Sequence, residues 1–78
     1  MNEKDDAILE YLAETKSALP PAVIRWNLEQ RGQKMSRKTI GRRLEKLRKA
    51  GLVEVDRQKG MYQSITQKGR DYLTGETA

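Results

Sequence analysis

Residues 36–73 read SRKTIGRRLEKLRKAGLVEVDRQKGMYQSITQKGRDYL. Ser36 suits a helix N-cap, because its hydroxyl can accept an otherwise free backbone N–H. Ile40, Leu44 and Leu47 follow at i, i+4 and i+7, so one face of a helix over 36–50 is buried. Gly51 closes that helix. Residues 52–56 predict a strand with Val53 and Val55 on one face. Arg57, Gln58, Lys59 and Gly60 read as a short hairpin loop in which the glycine supplies a positive φ. Residues 61–66 form the return strand, and 67–73 a short last helix with Thr66 as its cap.

The opposite face of the 36–50 helix follows from the helical repeat. Lys38 and Arg42 lie almost diametrically across from the apolar stripe, as does Lys49 further along. Thr39 and Lys46 flank them on one side and Glu45 on the other. Arg43 sits nearer the core edge, where it reaches a phosphate or an acid. Lys46, Arg48 and Lys49 also suit the negative end of the helix dipole. Gly41 costs about 1 kcal/mol against alanine in a helix interior. Close approach of a neighbouring helix is the favoured reason for it, ahead of close approach of a DNA backbone.

The rest of the chain builds a small core behind this unit. Residues 5–15 predict a first helix, capped by Asp5 or Asp6, with Ile8, Leu9 and Leu12 inward and Tyr11 at the edge. Leu19-Pro20-Pro21 opens a second helix, with Val23, Ile24 and Leu28 as its buried stripe and Gly32 as its stop. Trp26 lies off that stripe, at the rim of the core in preference to a subunit contact. Met35 tucks into the core from the turn. The fold class expected is α+β, mainly α: three helices, a two-stranded β-hairpin and a short C-terminal helix over 5–73, then a flexible tail over 74–78.

The chain has 78 residues, no cysteine and no histidine. Disulfides, thiolate metal sites, the commonest metal ligand and the usual general base near neutrality are therefore excluded. With no glycine loop for phosphates and no paired carboxylate suited to a pocket, no catalytic or metal site and no cofactor are expected. No apolar run is long enough to span a membrane and no signal peptide is visible, so a cytoplasmic protein is expected. Net charge is +5, unevenly spread. Residues 1–14 hold five acids against Lys4, and residues 31–49 hold nine bases against Glu45. Clustered cations are the footprint of a polyanionic partner. A basic helix beside a basic hairpin suits a nucleic-acid duplex.

Several short motifs now combine. Residues 36–44, then Leu47 and Ala50-Gly51-Leu52-Val53, resemble the recognition helix and first wing strand of winged helix-turn-helix regulators. Gly60, Tyr62, Ile65-Thr66, Lys68-Gly69-Arg70 and Tyr72-Leu73 resemble the ending of small prokaryotic, archaeal-type members. The opening Asp6-x-Ile8-Leu9-x-Tyr11-Leu12 is similar to the same group, including repressor-like proteins of the phage phi-H type. Tyr62 and Ile65 are three apart where such chains keep two, which predicts a bulge or altered packing near Gln63-Ser64.

The resemblance implies a double-stranded DNA-binding transcriptional regulator, a repressor by analogy, with the 36–50 helix in the major groove. Arg42 is the best candidate for a bidentate guanine contact, with Lys38 facing outward beside it, and Arg37, next to the cap, reaches a phosphate or a base edge. Thr39 meets a thymine methyl or a phosphate, and Lys34 and Ser36 suit phosphates at the helix mouth. Arg57 and Lys59 meet backbone or minor groove at the wing tip, and Gln58 a base or sugar edge. A homodimer is expected, sharing Tyr11, Tyr72 and Leu73. The alternative is a protein-interaction winged helix that meets an acidic partner. Whether a small-molecule effector exists is not legible in so short a chain.

Overall fold

The computed structural model describes residues 2–75. Helices α1 (Glu3–Thr15), α2 (Pro21–Gln30) and α3 (Arg37–Lys49) precede a hairpin of β1 (Val53–Asp56) and β2 (Tyr62–Ile65), and α4 (Gln67–Thr74) follows. The mainly helical architecture with a two-stranded wing is the one the sequence implies.

The start of α1 differs from expectation. Asn2, not Asp5 or Asp6, is the cap, and its side chain accepts the Asp5 N–H at 3.0 Å while the Asp5 carboxylate accepts the Asn2 N–H at 3.4 Å. This reciprocal capping box satisfies two free donors and draws the helix start back to Glu3. Ile8, Leu9 and Leu12 are wholly buried as expected, and Tyr11 is buried with them.

In α2 the buried residues are Ile24 and Leu28. Val23 is 38% exposed, a correction to its expected place in the core. It lies one residue before Ile24, on the side away from Leu28, so the helical repeat carries it about 120° off the stripe centre. Trp26, expected at the core rim, is 60% exposed on the face opposite Ile24.

Ser36 caps α3 by accepting the Thr39 N–H at 3.0 Å, and Ile40, Leu44 and Leu47 form the buried stripe. The helix ends as glycine allows. Gly51 adopts φ +79°, and the Leu52 N–H reaches back to the Leu47 carbonyl at 3.0 Å. That turn aims β1 at β2.

The hairpin is antiparallel, pairing Val53 with Ile65, Glu54 with Ser64, Val55 with Gln63 and Asp56 with Tyr62. The register is unbroken, so of the two outcomes expected near Gln63-Ser64 no bulge forms and the packing is altered instead. Tyr62 turns outward, and Gln63 and Ile65 take the inner face. The cause is Leu19, which pairs with Gln63 through both backbone bonds, at 2.7 and 2.9 Å. Gln63 is thereby drawn in, and its side-chain amide donates to the Met61 carbonyl at 3.0 Å.

Thr66 caps α4 and also donates its hydroxyl to the Gly51 carbonyl at 2.7 Å, which ties α4 to the end of α3. The Tyr72 hydroxyl donates to the Asp6 carboxylate at 2.7 Å and closes α4 onto α1. Of the expected tail over 74–78, Thr74 is the last residue of α4 and Gly75 its left-handed cap, and 76–78 lie outside the described residues.

Candidate nucleic-acid interface

The nine bases of residues 31–49 divide sharply by partner. Arg31 forms two hydrogen bonds with the Glu14 carboxylate, at 2.8 and 2.9 Å, and its guanidinium lies 4.9 Å from the centre of the Tyr11 ring. Hydrogen bonding and charge from Arg31 hold the Glu14 carboxyl below its ordinary pKa, and Glu14 in turn raises that of Arg31. Arg43 and Lys46 lie 3.6 and 3.9 Å from Oδ2 of Asp5. Arg48 and Lys49 lie 3.9 and 3.5 Å from Glu45. Among the described residues, Lys34, Arg37, Lys38 and Arg42 have no acid within ion-pair distance. These four occupy the turn before α3 and its N-terminal half, and all are exposed.

Magnitudes separate the two kinds of pairing. Exposed pairs such as Glu45 with Lys49 contribute only about 0–1 kcal/mol, so a phosphate can recruit those cations. Asp5 is different, because its side chain is fully buried and Oδ1 has no hydrogen-bond partner among the described residues. Drawing Arg43 and Lys46 away would leave a buried charge uncompensated, at a cost on the order of 3 kcal/mol or more. Arg43, expected to meet a phosphate or an acid, meets the acid.

The mouth of α3 is pre-set. Ser36 Oγ donates to Thr39 Oγ1 at 2.9 Å, which ties the two side chains at the helix mouth together. The wing tip is also ordered from within. Arg57–Lys59 form a single 3₁₀ turn, held because the Asp56 carboxylate accepts the Gln58 and Lys59 N–H groups at 3.0 and 3.3 Å. Gly60 and Met61 both take positive φ, +79° and +65°. Arg57, Gln58 and Lys59 are all exposed, and Arg57 donates to Met61 Sδ at 3.6 Å. A tip fixed before binding lowers the ordering cost of any contact it makes.

A cleft of about 310 Å³ separates α3 from the wing, lined by Pro21, Gly41, Leu44, Arg48, Arg57 and Met61. A Cβ at Gly41 would meet nothing within 4 Å, so the neighbouring helix expected to explain this glycine is not there.

A family model described as the ribonuclease R winged-helix domain matches residues 6–73. The chain belongs to this family. No curated protein and no solved structure matches it. The match supports the winged fold and gives no support to kinship with transcriptional regulators or phage repressors. A ribonuclease R-type winged helix is compatible with nucleic-acid binding or with protein interaction.

On this winged helix the expected contact residues fall into two groups. Lys34, Ser36, Arg37, Lys38, Thr39 and Arg42 gather at the first half of α3, and Arg57, Gln58 and Lys59 sit on the wing. Of the residues expected at a dimer contact, Tyr11 is buried under Arg31, and Tyr72 and Leu73 are half-buried against the core. The Asp6 carboxylate raises the Tyr72 pKa, by its hydrogen bond first and by its charge. Sequence reading missed the roles of Asp5, which holds Arg43 and Lys46, and of Asp56, which orders the wing tip. The Asn2-x-x-Asp5 capping-box spacing was the available signal for the first, and an aspartate just before the hairpin loop for the second. No helix among the described residues is long and apolar enough to cross a membrane.

Proposed function

We propose that this winged helix binds double-stranded DNA as a sequence-specific, cytoplasmic transcriptional regulator. The N-terminal half of α3 enters the major groove, and the wing lies on backbone or in the minor groove. The observation that carries the reading is the partition of charge: among the described residues, five of the nine cations are held by Glu14, Asp5 and Glu45, and the four with no acid in ion-pair distance cluster at one end of α3. Arg42 and Lys38 read base edges there, Arg37, Lys34 and Ser36 hold phosphates, and Lys59 anchors the wing. One module of this size makes limited contact, so two copies on half-sites about one helical turn apart complete the operator. Repression then follows by occlusion of a promoter.

A second reading, protein interaction, is favoured by one observation. Trp26 and Val23 are exposed on α2. The family's name adds RNA to the ligands worth testing. Selection of binding sites from a random duplex library at moderate salt tests the proposal, with structured RNA in a parallel arm. A two-fold symmetric enriched motif is expected. Retention of RNA alone, or of neither nucleic acid, refutes it.

A further inference from the structure

Nothing among the described residues calls for a glycine at position 41. It is the fifth residue of the 13-residue α3, where glycine is unfavourable. Its φ is not among the positive ones, so alanine can take its backbone conformation. A Cβ there meets nothing within 4 Å. The fold therefore gains nothing from the missing side chain, and the space in front of Gly41 is the cleft between α3 and the wing.

The chemistry of that cleft is particular. Leu44, Pro21 and Met61 give it apolar surface, and Arg48 and Arg57 stand at its walls. Glu45 also lines it, but Arg48 and Lys49 offset its charge at 3.9 and 3.5 Å. Met61 holds its place with φ +65°, a conformation that non-glycine residues adopt sparingly and that marks functional sites. Its sulfur accepts from Arg57 at 3.6 Å, so the apolar and cationic parts of the far wall are in contact. An apolar floor between two cations matches a sugar–phosphate strand, in which an apolar sugar alternates with an anionic phosphate.

Resting on the DNA-binding reading above, the geometry points to Gly41 as the residue that admits one strand of the duplex into this cleft. The sugar lies against Gly41 and its flanking phosphates against Arg48 and Arg57. Arg37, Gly41 and Arg48 share one side of α3 by the helical repeat, so the strand continues from the cleft to the helix mouth. Gly41 thus exchanges helix stability for close backbone approach.

The test is Gly41→Ala and Gly41→Leu, each measured by thermal unfolding and by fluorescence anisotropy on a random-sequence duplex over a salt series. Both variants are expected to unfold at higher temperature than the wild type, because both residues favour helix over glycine. Both are expected to bind duplex several-fold more weakly, leucine more than alanine. The slope of log affinity on log salt should become shallower by about 1 to 2 as the two phosphate contacts disengage. Variants that are more stable and bind with unchanged affinity and slope overturn the role of Gly41 and leave the DNA-binding reading intact. A wild-type protein that binds no duplex overturns both.

Discussion

Gly69→Ala provides a direct test of how α4 is seated. Gly69 is buried in α4, and a Cβ there would collide with the Leu52 carbonyl oxygen and come within 2.6 Å of Ile65 Cγ1. The isoleucine can rotate away, but the carbonyl cannot, because it accepts the Thr66 N–H at 3.1 Å in the turn that starts α4. Alanine would gain about 1 kcal/mol of helix propensity. Against this stand overpacking, about 1–3 kcal/mol, and distortion of the Thr66 bond, about 1 kcal/mol. The net expectation is a loss of about 2 kcal/mol, which for a domain of this size lowers the midpoint by roughly 8–16 °C. Gly41→Ala is the matched control. It makes the same chemical change in a helix with open space, and the effect on the unfolded chain is alike for both. Circular dichroism melts of the two variants beside the wild type should move in opposite directions. An unchanged or raised midpoint for Gly69→Ala would refute the reasoning, since α4 would then be free to pivot off the hairpin.

Five further expectations concern charge and titration. Asp5→Asn should release Arg43 and Lys46, so duplex affinity rises and its salt slope steepens by about 1 to 2; an unchanged slope means these cations never reach phosphate. Arg42→Ala should cost about 1–3 kcal/mol of binding and relax preference at one base pair, and Lys59→Ala should lower the salt slope by about one without changing preference. The neutral Tyr72 phenol is held by Asp6, so its folded-state pKa is above the unfolded value of about 10. The stability it lends is whole below that value and is lost as pH rises through the folded pKa; tyrosinate absorbance should show one late-titrating group that Tyr72→Phe removes. Glu14 is the mirror case. Its pKa is lowered by Arg31, so its contribution is present above the unfolded carboxylate value and lost as pH falls through the folded one, and Arg31→Gln should flatten that part of the acid limb in urea titrations.

The helix over 36–50 was legible because three independent signals coincide there: the Ser36 cap, the spacing of Ile40, Leu44 and Leu47, and Gly51 after the last turn. The hairpin was legible through Gly60, and α4 through Thr66. These are local rules, read within a few residues. The inward turn of Gln63 depends on Leu19, far away in sequence, and no local pattern carries it. Burial of Asp5 is likewise hidden, since an acid in a first turn reads as exposed capping until α3 covers it. The outward face of α3 followed from periodicity, but which of its cations keep acids was decided by tertiary contacts to Asp5 and by the choice of Glu45 between neighbours.

The pairing of Leu19 with Gln63 also bears on how the molecule behaves in a crowd. A hairpin projecting from a small domain presents two strand edges, and an open edge is a template on which another chain can add a strand. Here β2 lies between β1 on one side and Leu19 on the other, so its second edge is already occupied at its midpoint. The edge that stays open belongs to β1, which is four residues long and carries exposed Glu54 and Asp56. Short length and like charge both disfavour edge-to-edge stacking. The wing can therefore stand out from the domain to meet a ligand without becoming a seed for self-assembly.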